Sequence, residues 1–202
     1  MPSPNNLDVV GILQEHGAIL NGHFQLPSGF HSQSYVQTSM VMQYPHIAQK
    51  IARALSSKFA QEADVVMAPT AQTHVIAQEV ARVRKARAIF AEKNGGAMTL
   101  RRNFRLREGE RVIIVDDVIT TGTLTSSAVA LVQRYNAHVI GVVAIVDRST
   151  GDLPLRVPVR ALISYPLQVF TADNCPLCRE HVPLTTPGSP FKPLGDEPQH
   201  GQ

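Results

Sequence analysis

Residues 112–132 read VIIVDDVITTGTLTSSAVALV. Four β-formers, Val112 to Val115, run without a polar break into two acids, Asp116 and Asp117. Val118 and Ile119 follow, then Thr120, Thr121, Gly122 and Thr123, and a helical pattern opens at Leu124. A strand with no alternating polar face is covered on both sides, as in a parallel sheet. Ligands of such sheets bind beyond the carboxyl ends of the strands, where this loop must lie. Free N–H groups at a helix N-terminus, with threonine hydroxyls beside them, form an anion site. Gly122 lets the backbone approach the anion closely. Two adjacent carboxylates repel a phosphate but suit hydroxyl groups or a divalent cation. The pattern therefore predicts a sugar phosphate. It is not a Walker loop, because no G-K-[ST] follows.

Working outward, DVVMA (64–68), ARAIFAE (86–92), RVIIV (111–115), HVIGVVAIV (138–146) and RALI (160–163) read as strands. Pro45 opens an amphipathic helix with Ile47, Ile51, Leu55 and Phe59 on one face. Val75, Ile76, Val80 and Val83 fit a second helix face. Leu124, Ala128, Leu131, Val132 and Tyr135 fit a third. Strands alternating with helices predict βαβ units in a doubly wound α/β domain. A short helix within 5–17 and short strands within 18–37 form a smaller leading segment. The expected organisation is one domain over 1–170, with a hood from about 1–40, and a Pro/Gly-rich tail over 171–202. From Thr185 onward that tail is expected to pack loosely.

The chain has 202 residues, 44% hydrophobic and 17% charged, which excludes a disordered polymer. A net charge of +3 is small for a nucleic-acid binder. No apolar run reaches the ~18 residues of a membrane span. The first residues show no basic region leading into an apolar one, so no signal peptide is expected and the cytoplasm is the simplest location. Cys175 and Cys178 are too few for a disulfide scaffold. With His181 they offer part of a zinc site, and His200 is the candidate fourth ligand. A reduced pair in a packed hook is the preferred reading, and no metal ligand is assigned.

The 112–132 segment resembles the phosphoribosyl-diphosphate (PRPP) signature of the type I phosphoribosyltransferases. Residues 16–35, HGAILNGHFQLPSGFHSQSY, resemble the leading segment of the family's orotate branch. The matching positions are His16, Gly17, Ala18, Gly22, Phe24, Leu26, Ser28, Gly29, Ser32 and Tyr35. The resemblance spans roughly residues 10 to 165, and the CPLC and PGS of the tail look like one branch of the family. It implies a type I phosphoribosyltransferase-like fold, a central mostly parallel sheet flanked by helices with a small N-terminal hood.

The resemblance also implies roles. Asp116 and Asp117 bind the ribose hydroxyls, and Thr120, Thr121, Gly122, Thr123 and Leu124 hold the 5′-phosphate, with Val118 and Ile119 inside the same PRPP-binding run. Lys93 meets the diphosphate and, with Asp116 and Asp117, counts as catalytic. Arg101 and Arg102 lie beyond a Gly95-Gly96 pair, on a loop expected to close over the site. Gln72 occupies the position where a basic diphosphate ligand is expected. Thr120, Arg148, Ser28 and Gly29 bind orotate, Arg148 by pairing with its carboxylate. The implied reaction converts orotate and PRPP to orotidine 5′-monophosphate and diphosphate, in pyrimidine synthesis. Mg²⁺ is the implied cofactor and a homodimer the implied assembly, with no nucleic-acid or membrane partner. Two alternatives stay open: transfer to another base, and a PRPP-binding sensor or paralogue with weak or no orotate activity. The glycine-free loop Ala68-Pro69-Thr70-Ala71-Gln72-Thr73 favours the latter.

Overall fold

The computed structural model describes residues 7–26 and 28–187. In chain order it contains α1 (Val9–Glu15), β1 (Ile19–Gln25), β2 (His31–Val36), α2 (Ser39–Met42), α3 (Pro45–Ser56) and β3 (Val65–Ala68). Next come α4 (His74–Arg84), β4 (Arg87–Asn94), β5 (Ala97–Leu100), β6 (Arg111–Ile119) and α5 (Thr123–Arg134). The chain ends in β7 (His138–Asp147), β8 (Val159–Ser164), β9 (Val169–Phe170) and α6 (Pro176–Arg179). Contacts group it into two units, Met1–Ile19 with Val36–Pro166, and Leu20–Tyr35 with Leu167–Gln202.

The first unit is built on a sheet of order β5-β4-β3-β6-β7-β8. β3 pairs in parallel with both β4 and β6, β6 with β7, and β7 with β8. Successive side chains of a strand point to opposite faces. Val66, Ala68, Ile113 and Val115 therefore join one core with residues of α1, α3 and α4. Val65, Met67, Val112 and Ile114 join another with Ala128, Leu131 and Val132 of α5. Both faces are covered, which is why β3 and the run Val112–Val115 of β6 are apolar.

The helices follow their periodicity, with corrections at the margins. α3 starts with Pro45 in its first turn and buries Ile47, Ile51 and Leu55. Phe59 lies beyond its end, though it still packs against the core. α4 buries Ile76 and Val80, but Val75 and Val83 are exposed. Tyr135 is also exposed, just past α5. At the amino end of the sheet, Arg111 donates to Asp64 from Nε and Nη2 at 3.0 and 2.9 Å. Those hydrogen bonds hold the Asp64 carboxyl at about 2.

The second unit holds a sheet of order β1-β2-β9, in which His31 and Ser32 face Phe170 and Val169 across an antiparallel pair. A 3₁₀ turn at Ala172–Asn174 leads into α6. The chain then returns to β1: Thr185 N–H donates to His23 O and Gln25 N–H to Thr185 O, each at 2.9 Å. The expected boundary after residue 170 is thus drawn elsewhere. The hood strands and the segment from Leu167 share one unit, and residues 171–185 are hydrogen-bonded into it. The remainder of the expected tail, 188–202, lies outside the described residues.

Ile114 is fully buried at the centre of β6. Ile114→Ala should lower the unfolding free energy by about 2–5 kcal/mol in urea titration, as for other large-to-small core changes. A loss below about 1 kcal/mol would mean that the β6 core repacks freely.

Candidate active site

β3, β4, β6 and β7 run in the same direction, so their carboxyl ends share one edge of the sheet. The strand order reverses direction between β3 and β6, the switch point where ligands of such sheets bind. The edge carries the loop 69–73 after β3, Lys93 near the end of β4, Asp116 to Leu124 across the end of β6, and Arg148 after β7.

β6 extends further than its apolar run. Val118 and Ile119 pair with Val146 and Asp147, so both acids lie on the strand rather than in the loop. Alternation then sends them to opposite faces. Asp116 is buried; its Oδ2 accepts from the Thr125 hydroxyl at 3.1 Å and its Oδ1 from Asp117 N–H at 3.0 Å. Burial, helped by the neighbouring charge of Asp117, pushes its carboxyl from 3.8 up to about 7. Asp117 is half-buried and accepts from the Thr38 hydroxyl at 2.5 Å and from Val118 N–H at 2.8 Å. Thr38 is a residue that sequence reasoning missed. Nothing in its local pattern announces a contact with a residue so far along the chain.

Beyond β6 the chain turns into α5 through Gly122, whose φ is 72°. A Cβ there would lie 3.0 Å from Leu153 Cδ2 and 3.3 Å from Pro154 Cδ. Glycine is thus required both by its left-handed backbone and by the wall behind it. Thr120, Thr121 and Thr123 are exposed around this buried glycine. The Thr121 and Thr123 hydroxyls lie 3.0 Å apart. The first-turn N–H groups of α5 and these hydroxyls form a donor-rich cradle for an anion.

Arg148 follows β7, and its backbone N–H donates to Ile119 O at 2.8 Å. That bond sets Arg148 beside Thr120 and joins two of the four expected orotate residues. Ser28 and Gly29 belong to the other unit, exposed on the turn between β1 and β2. Gln72 is exposed in a turn organised by Thr70 and Thr73, whose hydroxyls are 3.3 Å apart. The next side chain but one, His74, packs on Phe90 at 4.9 Å between ring centroids, and burial lowers its pKa.

Lys93 is exposed on β4. The expected Gly95-Gly96 hinge is a hairpin turn instead. Asn94 pairs with Ala97, and the two glycines between them have φ of 56° and 87°. Positive φ at both central positions suits the right-handed twist of a two-residue hairpin. Arg102 donates to Glu92 Oε1 from Nε and Nη2 at 3.1 and 3.0 Å, and Arg101 lies 3.6 Å from Glu92 Oε2. Arg102 also sits 5.7 Å from the Phe90 ring centroid.

Comparison with known proteins places the chain in a family. Residues 37–174 match the model of the phosphoribosyl transferase domain. An orotate phosphoribosyltransferase of Caldicellulosiruptor bescii is 41% identical over 181 residues, covering 89% of this chain and 95% of its own. One from Thermoanaerobacter sp. is 42% identical over 183 residues, covering 90% and 96%. Among solved structures, orotate phosphoribosyltransferase of Aeropyrum pernix superposes with a TM-score of 0.64 at 20% identity, over 77% of this chain and 93% of that one. Adenine phosphoribosyltransferase of Rhodothermus marinus does so equally, with a TM-score of 0.64 at 21% identity over 78% and 98%. The superpositions report a shared fold and do not distinguish the base.

The Asp116 carboxyl generates a pH prediction. Its folded value is raised from 3.8 to about 7. The neutral form therefore favours folding fully below about 4, and this contribution is lost as pH rises through about 7. Asp116→Asn mimics the neutral acid. Its melting temperature should gain on the wild type progressively between about pH 4 and pH 8. A constant difference across that window would show that Asp116 titrates normally.

Proposed function

The chain belongs to the phosphoribosyl transferase domain family, and from that premise we propose that it transfers the phosphoribosyl group of PRPP to orotate. The products are orotidine 5′-monophosphate and diphosphate, a step of pyrimidine synthesis. The observation that carries this reading is the identity of about 40% to orotate phosphoribosyltransferases along nine-tenths of the chain.

The roles follow from the site. The 5′-phosphate sits in the cradle of Thr120 to Leu124, where N–H and O–H groups supply hydrogen bonds without any rearrangement of the backbone. The ribose hydroxyls face Asp117, whose position is fixed by Thr38 and Val118. Asp116 supports that strand end from the opposite face, bonded to Thr125. Arg148 pairs with the orotate carboxylate, and Thr120 beside it reaches the base. The bond from ribose C1 to the diphosphate oxygen breaks with its electron pair leaving on the diphosphate. The N1 nitrogen of deprotonated orotate forms the new bond to C1 from the other side. Fixed orientation and fixed charge supply the catalysis, and no covalent intermediate on the protein is needed.

Lys93, Arg101 and Arg102 are the cations for the departing diphosphate. The pairs of both arginines with Glu92 are surface ion pairs, each contributing ~0–1 kcal/mol. A polyanion can therefore compete for them at little cost. Asp117 is a hard oxygen donor beside the sugar position, which fits Mg²⁺ held mostly by the substrate and waters. Bound there with the substrate, the ion would neutralise diphosphate charge. A homodimer and a cytoplasmic location complete the proposal. No helix among the described residues is long and apolar enough to cross a membrane.

The test is loss of orotate absorbance on addition of PRPP, with and without Mg²⁺. Turnover should require both. PRPP binding without orotate consumption would overturn the choice of base. Arg148→Ala should raise the orotate KM at least tenfold and leave the PRPP KM within about twofold, since an interaction with a charged group is worth about 1.5–3 kcal/mol. An unchanged orotate KM would refute that role. Light scattering should return twice the chain mass.

A further inference from the structure

The second unit has an unusual interior. Among its described residues, the buried apolar side chains are Phe24, Leu167 and Cys175, and as many polar ones are buried with them: His23, His31 and Ser32. A small unit with so thin an apolar core needs another source of stability. Buried imidazoles without good partners would subtract from what it has.

The two histidines face the two cysteines. His23 Nε2 lies 3.0 Å from His31 Nδ1, 3.4 Å from Cys175 Sγ and 3.7 Å from Cys178 Sγ. His31 Nδ1 lies 3.2 Å from Cys178 Sγ. All four ligand atoms fall within 4.8 Å of one another. Around a tetrahedral zinc ion, with Zn–S about 2.3 Å and Zn–N about 2.0 Å, the edges between ligand atoms are about 3.3–3.8 Å. The observed separations cluster about that range. We propose that His23, His31, Cys175 and Cys178 bind one structural zinc ion in a Cys₂His₂ site.

Three further observations support it. His23 Nδ1 is 2.8 Å from the Val182 carbonyl, so this nitrogen carries the proton and Nε2 turns a lone pair toward the cluster. A backbone carbonyl holding the far nitrogen of a ligating histidine is the usual outer support of a zinc site. The charges balance: two thiolates and two neutral imidazoles around a dication leave no net charge. The donor set of two sulfurs and two nitrogens selects zinc over hard cations such as Mg²⁺. The spacing of Cys175 and Cys178 suggested His181 as their partner. His181 is instead exposed, with φ of 55°, and stands outside the cluster. His200, the other candidate, lies outside the described residues. The ion would clamp β1 and β2 to the hook that carries α6, all within one unit. It uses other residues and other donor chemistry than the proposed Mg²⁺.

The full chain, purified under reducing conditions and supplied with zinc, should retain one zinc per chain after desalting, by elemental analysis. Replacement with cobalt(II) should give the visible bands of a tetrahedral site and a thiolate charge-transfer band. Cys178→Ser should lose the zinc and the charge-transfer band, while His181→Ala should keep both. Because Cys178→Ser could unfold the unit, the wild-type cobalt spectrum decides independently of it. A wild type that retains no stoichiometric zinc, gives an octahedral cobalt spectrum without thiolate bands, or forms a Cys175–Cys178 disulfide under these conditions would overturn the site. None of these readouts depends on phosphoribosyl transfer.

Discussion

β6 is held on both sides by parallel neighbours, β3 and β7, and its last two residues are fixed by the pairs Val118 with Val146 and Ile119 with Asp147. Those pairs fix the part of the site built on β6, α5 and β7. They carry Asp116 and Asp117 to the sheet edge in defined orientations and start α5 just beyond. They also set Arg148 against Ile119 through a main-chain bond. A one-residue slip would exchange the two carboxylates between faces. Asp117 would then lose Thr38, and Asp116 would leave the interior that raises its pKa. The two cores packed on the sheet hold the register, because a slip would also turn Ile113 and Ile114 to the wrong sides.

The consequence is a site in which rigid and adaptable parts are separated. The cradle at Gly122 and the paired ends of β6 and β7 are backbone features, fixed by hydrogen bonds and close packing. The cations Lys93, Arg101 and Arg102 are exposed side chains on or beside a hairpin, the arginines restrained by surface ion pairs with Glu92 and Arg102 also by the Phe90 ring. Such a division suits a ligand that must enter and leave. In the proposed reading, the sugar phosphate would meet a preorganised end, while charge at the diphosphate end would adjust.

Much of this was legible in the sequence, for physical reasons that differ by residue. β3, β6 and β7 were visible because strands covered on both faces carry long uninterrupted apolar runs. α3 and α5 were visible because each buries one face against the sheet. The extension of β6 through Asp116 and Asp117 was not, because acids disfavour strands and only pairing with the long β7 overrides that preference. The Gly95-Gly96 turn was read as a hinge because glycine alone does not distinguish a mobile loop from a tight hairpin. The exposure of Val75 and Val83 escaped a periodicity that records only the apolar residues. Thr38 and the pair His23 and His31 were illegible for another reason. Their partners are distant in the chain, and local spacing cannot report a contact made only on folding.

β5 ends the sheet as a strand of four residues, and it leaves main-chain groups facing outward, apart from Met98 O, which accepts from Arg134 Nη2 at 2.6 Å. An open strand of this kind is a template on which another chain can polymerise. Here the exposed edge is short, begins at a tight turn and is followed at once by two arginines, Arg101 and Arg102. A second copy adding along it would gain few ladder bonds and bring like charges together. This end of the sheet therefore resists the addition of another strand.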